Sequence, residues 1–133
     1  MRAHHRSLQW AFLQGLYDLF GGLWPLLHMR SFAAVTGPKS DEWLVRAVAG
    51  ILVVVGAGLL HDVRRGYVTI TMARTAMGVS LVLALVALIS SLAGWISWVY
   101  FLDGIAHATL FLGWCYLLWH RWRQRDRKSP AAM

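Results

Sequence analysis

Charge is scarce in this sequence. Charged residues make up 14% of it and hydrophobic ones 58%, whereas a soluble domain usually carries about a quarter charged residues. The apolar residues are gathered into long runs, which excludes a water-soluble globule and makes an integral membrane protein the expectation. Cysteine is nearly absent. Cys115 is the only one, and it lies inside an apolar run, so neither a disulfide framework nor a zinc spacing exists. Acidic residues are few as well, six against 13 Lys and Arg, for a net charge of +7. Such a balance can mark a nucleic-acid binder, but here the basic residues flank apolar runs and no nucleic-acid motif occurs. No nucleic-acid partner is expected; topology and attraction to anionic lipid headgroups account for the charge. Low-complexity segments and internal repeats are also missing, and the 133 residues read as one domain.

What is present is a set of four apolar stretches, at 8–29, 43–60, 75–93 and 98–119, followed by a basic tail at 120–133. A helix rises 1.5 Å per residue, so stretches of about 18–24 residues suit ~30 Å of hydrocarbon. The expected fold is all-α, an antiparallel four-helix transmembrane bundle. Gly94-Trp95-Ile96-Ser97 leaves room only for a tight hairpin between the last two spans. Arg2 and Arg6 precede the first span and Ser31-Phe32-Ala33 loosely resembles a cleavage site. The first stretch exceeds the usual ~7–15 residues of a signal h-region and contains Asp18, so a retained helix is expected.

Orientation follows from the basic residues. Arg2 and Arg6, then Arg64, Arg65 and Arg74, then Arg121, Arg123, Arg125, Arg127 and Lys128 fall on one side if the spans number four. The other side has Arg30 and Lys39, with Arg46 just inside the second span. The positive-inside rule puts both termini in the cytoplasm. Trp10, Trp24, Trp43, Trp95, Trp98, Trp119 and Trp122 lie near span ends, as an interfacial aromatic belt requires. Trp114 is deeper and reads as packing. Gly104 and Ala108 form a small-xxx-small pair that lets a neighbouring helix approach.

Function is expected where polar side chains interrupt the spans, because a charge at bilayer depth costs about 2.5 kcal/mol or more. Asp18 lies about ten residues before His28, hence ~15 Å below the outer surface, and His107 reaches a similar depth from Ser97. Asp103 is ~9 Å deep and Arg46 ~4.5 Å. Asp103 and His107 share a helix face at i and i+4. Arg46 can snorkel outward or pair with Asp103. Asp18 and His107 can satisfy one another across helices. Gly21, Gly22 and Pro25 predict either a kink beside a cavity or close packing followed by a bend. Together Asp18, Asp103, His107, Arg46 and His28 outline an outward-facing polar pocket. Thr36, Gly37, Pro38, Lys39 and Asp41 belong to an outer loop read as an ordered cap, in which Gly-Pro enforces a turn and Ser40 is the expected N-cap of the second span.

The named chemistries mostly fail. Haem b needs two axial ligands at one depth, and only His61 and His120 are matched; a second haem through His107 would need a histidine where Val48 stands. No Glu-x-x-His di-iron motif, nucleophile elbow, P-loop or dinucleotide fingerprint is present. The cytoplasmic half of the bundle reads as almost purely apolar, which argues against a complete proton path. No metal or other cofactor is expected.

The stretch Phe32-Ala33-Ala34-Val35-Thr36-Gly37-Pro38-Lys39-Ser40-Asp41-Glu42-Trp43-Leu44-Val45-Arg46 resembles the outer-loop signature of a group of small bacterial four-helix membrane proteins. Tyr100-Phe101-Leu102-Asp103-Gly104 is similar to their last helix, and the general layout is similar to the DoxX-like proteins. The specific likeness covers about 20 residues. It implies a bacterial inner-membrane location and no particular activity; the related pattern has a carboxylate near position 107, so no shared role is implied there. The leading expectation is a non-enzymatic binding or accessory protein. It would be a subunit of a larger membrane complex, a homo-oligomer, or a binder of a lipid or quinone-type amphiphile. The rivals are a small membrane redox protein or enzyme using Asp18, Asp103 and His107 or a single haem b held by His61 and His120, or a minimal oligomeric transporter.

Overall fold

Among the described residues, three helices are long and apolar enough to cross a membrane, and two more accompany them. A computed structural model describes residues 2–128, with the side chains of residues 4–123. Among the described residues the chain is all-helical: α1 (Arg2–Leu27), α2 (Met29–Thr36), α3 (Glu42–Arg64), α4 (Ile70–Leu92) and α5 (Val99–Lys128). The membrane-length helices are α3, α4 and the Val99–Arg123 part of α5, with mean hydropathy of 2.2, 2.2 and 1.4. The side chains of Arg2, Arg125, Arg127 and Lys128, which the orientation argument uses, lie outside the described residues.

The expected first span at 8–29 differs from α1 at both ends. The helix begins earlier and runs through Pro25 to Leu27. Proline removes one backbone donor and crowds the carbonyl four residues back. Here that residue is Gly21, and the helix continues two residues beyond the ring, to Leu27. The break comes at His28, whose φ of −147° and ψ of 74° leave the helical region. Its imidazole Nδ1 then accepts the Ser31 N–H at 3.2 Å and caps α2. The Trp24 indole donates to Ser31 Oγ at 2.9 Å across the corner. The expected outer loop thus contains a two-turn helix, closed by Gly37 at a φ of 91° that side-chain-bearing residues rarely adopt.

The close pairing of α1 with α3 is the most extensive contact in the fold, followed by α4 with α5; α1–α5 and α3–α4 contacts join the two pairs. Glycine explains the first. A Cβ on Gly22 would lie 2.5 Å from Ala49 O, and one on Gly56 would lie 2.8 Å from both Gly15 O and Leu19 N. Gly15/Gly22 and Ala49/Gly56 are heptad-spaced, so one small seam runs along each helix and the backbones close antiparallel upon it. On α4 the buried residues are Ala73, Ala76, Ser80, Ala84 and Ala87, again small at helical spacing. Gly104 lets α5 meet α4, because a Cβ there would strike Leu88 at 2.8 Å. This agrees with the small-xxx-small reading of Gly104.

The connections are tied down by side chains. Asp62 is buried, and its Oδ2 accepts both the Thr69 N–H and the Thr69 hydroxyl at 2.9 Å. Thr69 Oγ1 in turn accepts the Met72 N–H and caps α4. The N-cap of α3 is Asp41, not the expected Ser40, and it makes no side-chain cap bond; Ser40 donates instead to Asp41 Oδ2 at 3.2 Å. Gly94, at φ 74°, turns the short α4–α5 connection.

Candidate functional site

Between α1, α4 and α5 the buried polar side chains form one connected set, centred on a residue the charge-based reading passed over. Gln14 is fully buried. Its Nε2 lies 2.9 Å from Ser80 Oγ, 3.1 Å from Asp18 Oδ2 and 3.2 Å from Ala76 O. Two amide hydrogens serve these three acceptors, so they are shared. Its Oε1 accepts the Trp114 indole N–H at 2.6 Å. Trp114 is therefore packing and hydrogen-bond donor at once. Gln14 precedes Asp18 by one helical turn, the same i, i+4 relation that puts Asp103 and His107 on one face. Applied to uncharged residues, that spacing would have found it.

The second half of the set faces α5. The Tyr17 hydroxyl donates to Asp103 Oδ1, and the Tyr17 ring meets His107 edge-on, with centroids 5.3 Å apart and planes at 82°. His107 Nε2 stands 3.8 Å from Asp103 Oδ1, too far for a hydrogen bond. Asp103 is partly open, at 40% side-chain exposure, while His107 is 2% exposed. Tyr17 thus brings the Asp18 level of α1 to the His107 level of α5, as the depth arithmetic expects. Asp103 also acts electrostatically on both Tyr17 and Asp18.

Two buried atoms at this level have no hydrogen-bond partner: Asp18 Oδ1 and His107 Nδ1. Leaving such a group unmet costs about 1–3 kcal/mol. The expected direct Asp18–His107 hydrogen bond does not form; Asp18 spends its other oxygen on Gln14, and His107 leans on Tyr17. The third unpartnered side-chain atom among the described residues, Ser91 Oγ, sits near the end of α4.

Several expected members of the pocket lie elsewhere. Arg46 is exposed and pairs with Glu42 on its own helix at 3.5 Å, not with Asp103. Depth gives only one coordinate, and the angular position around α3 turns Arg46 away. His28 is exposed and caps α2. Of the proposed kink residues, Gly22 is a packing contact against α3, Gly21 faces open space, and Pro25 is accommodated within α1. In the outer loop, Thr36 is buried and donates to Phe32 O at 2.8 Å. Lys39 donates to Thr36 O at 2.9 Å and lies 4.8 Å over the Tyr100 ring. With Gly37 and the exposed Pro38 and Asp41, these residues make the expected ordered cap, fastened to the start of α5. His61 and His120 are both exposed, on helices that are not principal neighbours, and His120 stacks on Tyr116.

The interior toward the basic end is not purely apolar, as the sequence suggested. Beyond Gln14 and Ser80, buried Ser7 accepts from Arg121 Nη2 at 2.8 Å. Among the described residues no group of three or more His, Cys, Asp and Glu could hold a metal ion. The chain matches no family model, no curated protein sequence and no solved structure.

Proposed function

We propose that this chain is a small integral membrane binding protein that holds the polar end of an amphiphile between Asp18 and His107. The observation that carries this reading is the pair of unpartnered, buried polar atoms, Asp18 Oδ1 and His107 Nδ1, on neighbouring helices at one level. A carboxyl oxygen and an imidazole nitrogen together accept a group that both donates and accepts. A hydroxyl or a quinol-type head on an apolar tail has that chemistry. Tyr17 and Asp103 form the more exposed side of the site, by which such a head would enter; Gln14, Ser80 and Trp114 hold Asp18 in place from the inner side.

The membrane setting belongs to the same proposal. The helices α3, α4 and α5 have the necessary length and hydropathy, and α1 joins them as a fourth span. Gln14 and Asp18, the polar residues in its middle, are turned inward, while Phe12, Leu13, Phe20 and Leu27 are exposed and the exposed polar residues His4, His5, Arg6 and Gln9 lie toward its start. Apolar outside and hydrogen-bonded inside is the arrangement a bilayer demands. The basic residues support cytoplasmic termini, and the outer-loop likeness to small bacterial membrane proteins supports an inner-membrane location.

Native mass spectrometry of the full chain, extracted in mild detergent, tests the reading. A small hydroxylated or quinone-type amphiphile should co-purify with the wild type and be lost from Asp18→Ala and His107→Phe, each still folded by circular dichroism. Absence of any such molecule, or equal retention by the variants, would contradict it. Co-purification of a protein subunit alone would favour an accessory role instead.

A further inference from the structure

A second feature lies where α1 and α5 meet near the basic end of the fold, between one and two helical turns from the level of Asp18 and His107. There a groove of about 520 Å3 runs along the seam. Arg6, Gln9, Trp10 and Leu13 line it from α1, and Gly113 and Tyr116 from α5. Both sets follow helical spacing, so the groove is a property of two facing stripes and not of one irregular loop. Gly113 makes it: the Trp10 ring lies so close over this residue that a Cβ there would fall 2.1 Å from the ring. The indole donates to Leu110 O at 3.2 Å, which fixes the ring as an apolar floor.

The groove is polar at one end only. Arg6 stands at its mouth, exposed, and among the described residues it has no carboxylate partner. Gln9 stands one turn along from it, and no acidic side chain lines the groove. From Arg6 to Leu13 the lining passes from charged to apolar over about seven residues, or ~10 Å of helix.

We infer that this groove is a binding site for an anionic phospholipid. The phosphate would meet Arg6 and Gln9 and one acyl chain would lie over Trp10 and Gly113. Guanidinium pairs phosphate through parallel charge-assisted bonds, and a mouth with an exposed cation and no lining carboxylate favours a headgroup of net negative charge. The inference shares with the proposed function only the membrane placement and uses neither Asp18 nor His107. Either can therefore fail alone.

The test is native mass spectrometry of the full chain in mixed micelles containing equal phosphatidylglycerol and phosphatidylcholine. Phosphatidylglycerol should be retained roughly tenfold better, because both lipids offer the phosphate but the choline cation of phosphatidylcholine is repelled by Arg6. Arg6→Gln should bring the two lipids close to parity. Leu13→Trp, which fills the groove without touching charge, should lower retention of both, and Arg30→Gln, an equal charge loss at the opposite end, should change nothing. Equal retention of the two lipids by the wild type would overturn the inference. So would wild-type selectivity in Arg6→Gln, or the same loss in Arg30→Gln as in Arg6→Gln. Should Arg6→Gln misfold by circular dichroism, Leu13→Trp decides: undiminished retention there overturns the inference too.

Discussion

Gly21 and Gly22 are adjacent on one helix, share one intrinsic propensity, and differ in what a methyl group would meet. A Cβ on Gly21 finds nothing within 4 Å. One on Gly22 would lie 2.5 Å from Ala49 O and 3.1 Å from Val53 N, both backbone atoms of α3. A comfortable carbon–oxygen contact is about 3.3–3.6 Å, so α1 would have to withdraw by roughly 1 Å along its most extensive interface. Neither backbone atom can rotate aside as a side chain could. Overpacking of this kind costs about 1–3 kcal/mol. Gly21→Ala, in contrast, should be neutral or stabilising by up to ~1 kcal/mol, since alanine is the better helix former. The two variants are thus expected to differ by about 1–4 kcal/mol. The assay is reversible unfolding in mixed micelles of mild detergent and dodecyl sulfate, followed by circular dichroism. Equal midpoints for Gly21→Ala and Gly22→Ala would refute the close α1–α3 seam.

The polar interior makes its own prediction. Gln14→Leu removes the acceptor of the Trp114 indole and the donor to Asp18, leaving buried groups unmet, and should cost about 2–4 kcal/mol in the same unfolding assay at ~1–3 kcal/mol per group; a loss under ~0.5 kcal/mol, the size of an ordinary surface change, would count against the network. Orientation is open to cysteine labelling in a background with Cys115 replaced by alanine. Ser40→Cys should react with a membrane-impermeant maleimide on intact cells and Arg65→Cys only after lysis, whereas the reverse pattern would invert the topology.

The long apolar runs gave away α3, α4 and α5, because their length and hydropathy need no partner to be read. Their ends were harder. Ser40 has the better capping side chain, yet the cap falls one residue later, at Asp41, to whose carboxylate Ser40 donates its hydroxyl, and the helix begins at Glu42. The short helix α2 has little apolar length of its own and is made by His28 and Gly37, whose roles emerge only in three dimensions. At the site, depth along a helix was legible and angle around it was not. That is why Asp18 and His107 lie at one level without bonding, with Tyr17, which charge and depth did not point to, set against His107, while Arg46 turns to Glu42. Gln14 and Ser80 were missed because attention went to charge, although an amide buried among apolar side chains needs partners as surely as a carboxylate does. The heptad pairs Gly15/Gly22 and Ala49/Gly56 can be seen in the sequence once one knows that α1 and α3 run antiparallel in that register.

The central claim is that Asp18 and His107 leave room for a ligand's polar group. Nitrogen-15 NMR of His107 in the full chain reads it most directly, with spectra taken as purified and after exhaustive removal of bound amphiphile. The account predicts that the Nδ1 resonance shifts on stripping and returns when the amphiphile is added back, with no such return in Asp18→Ala. A His107 Nδ1 signal identical in both preparations would contradict it.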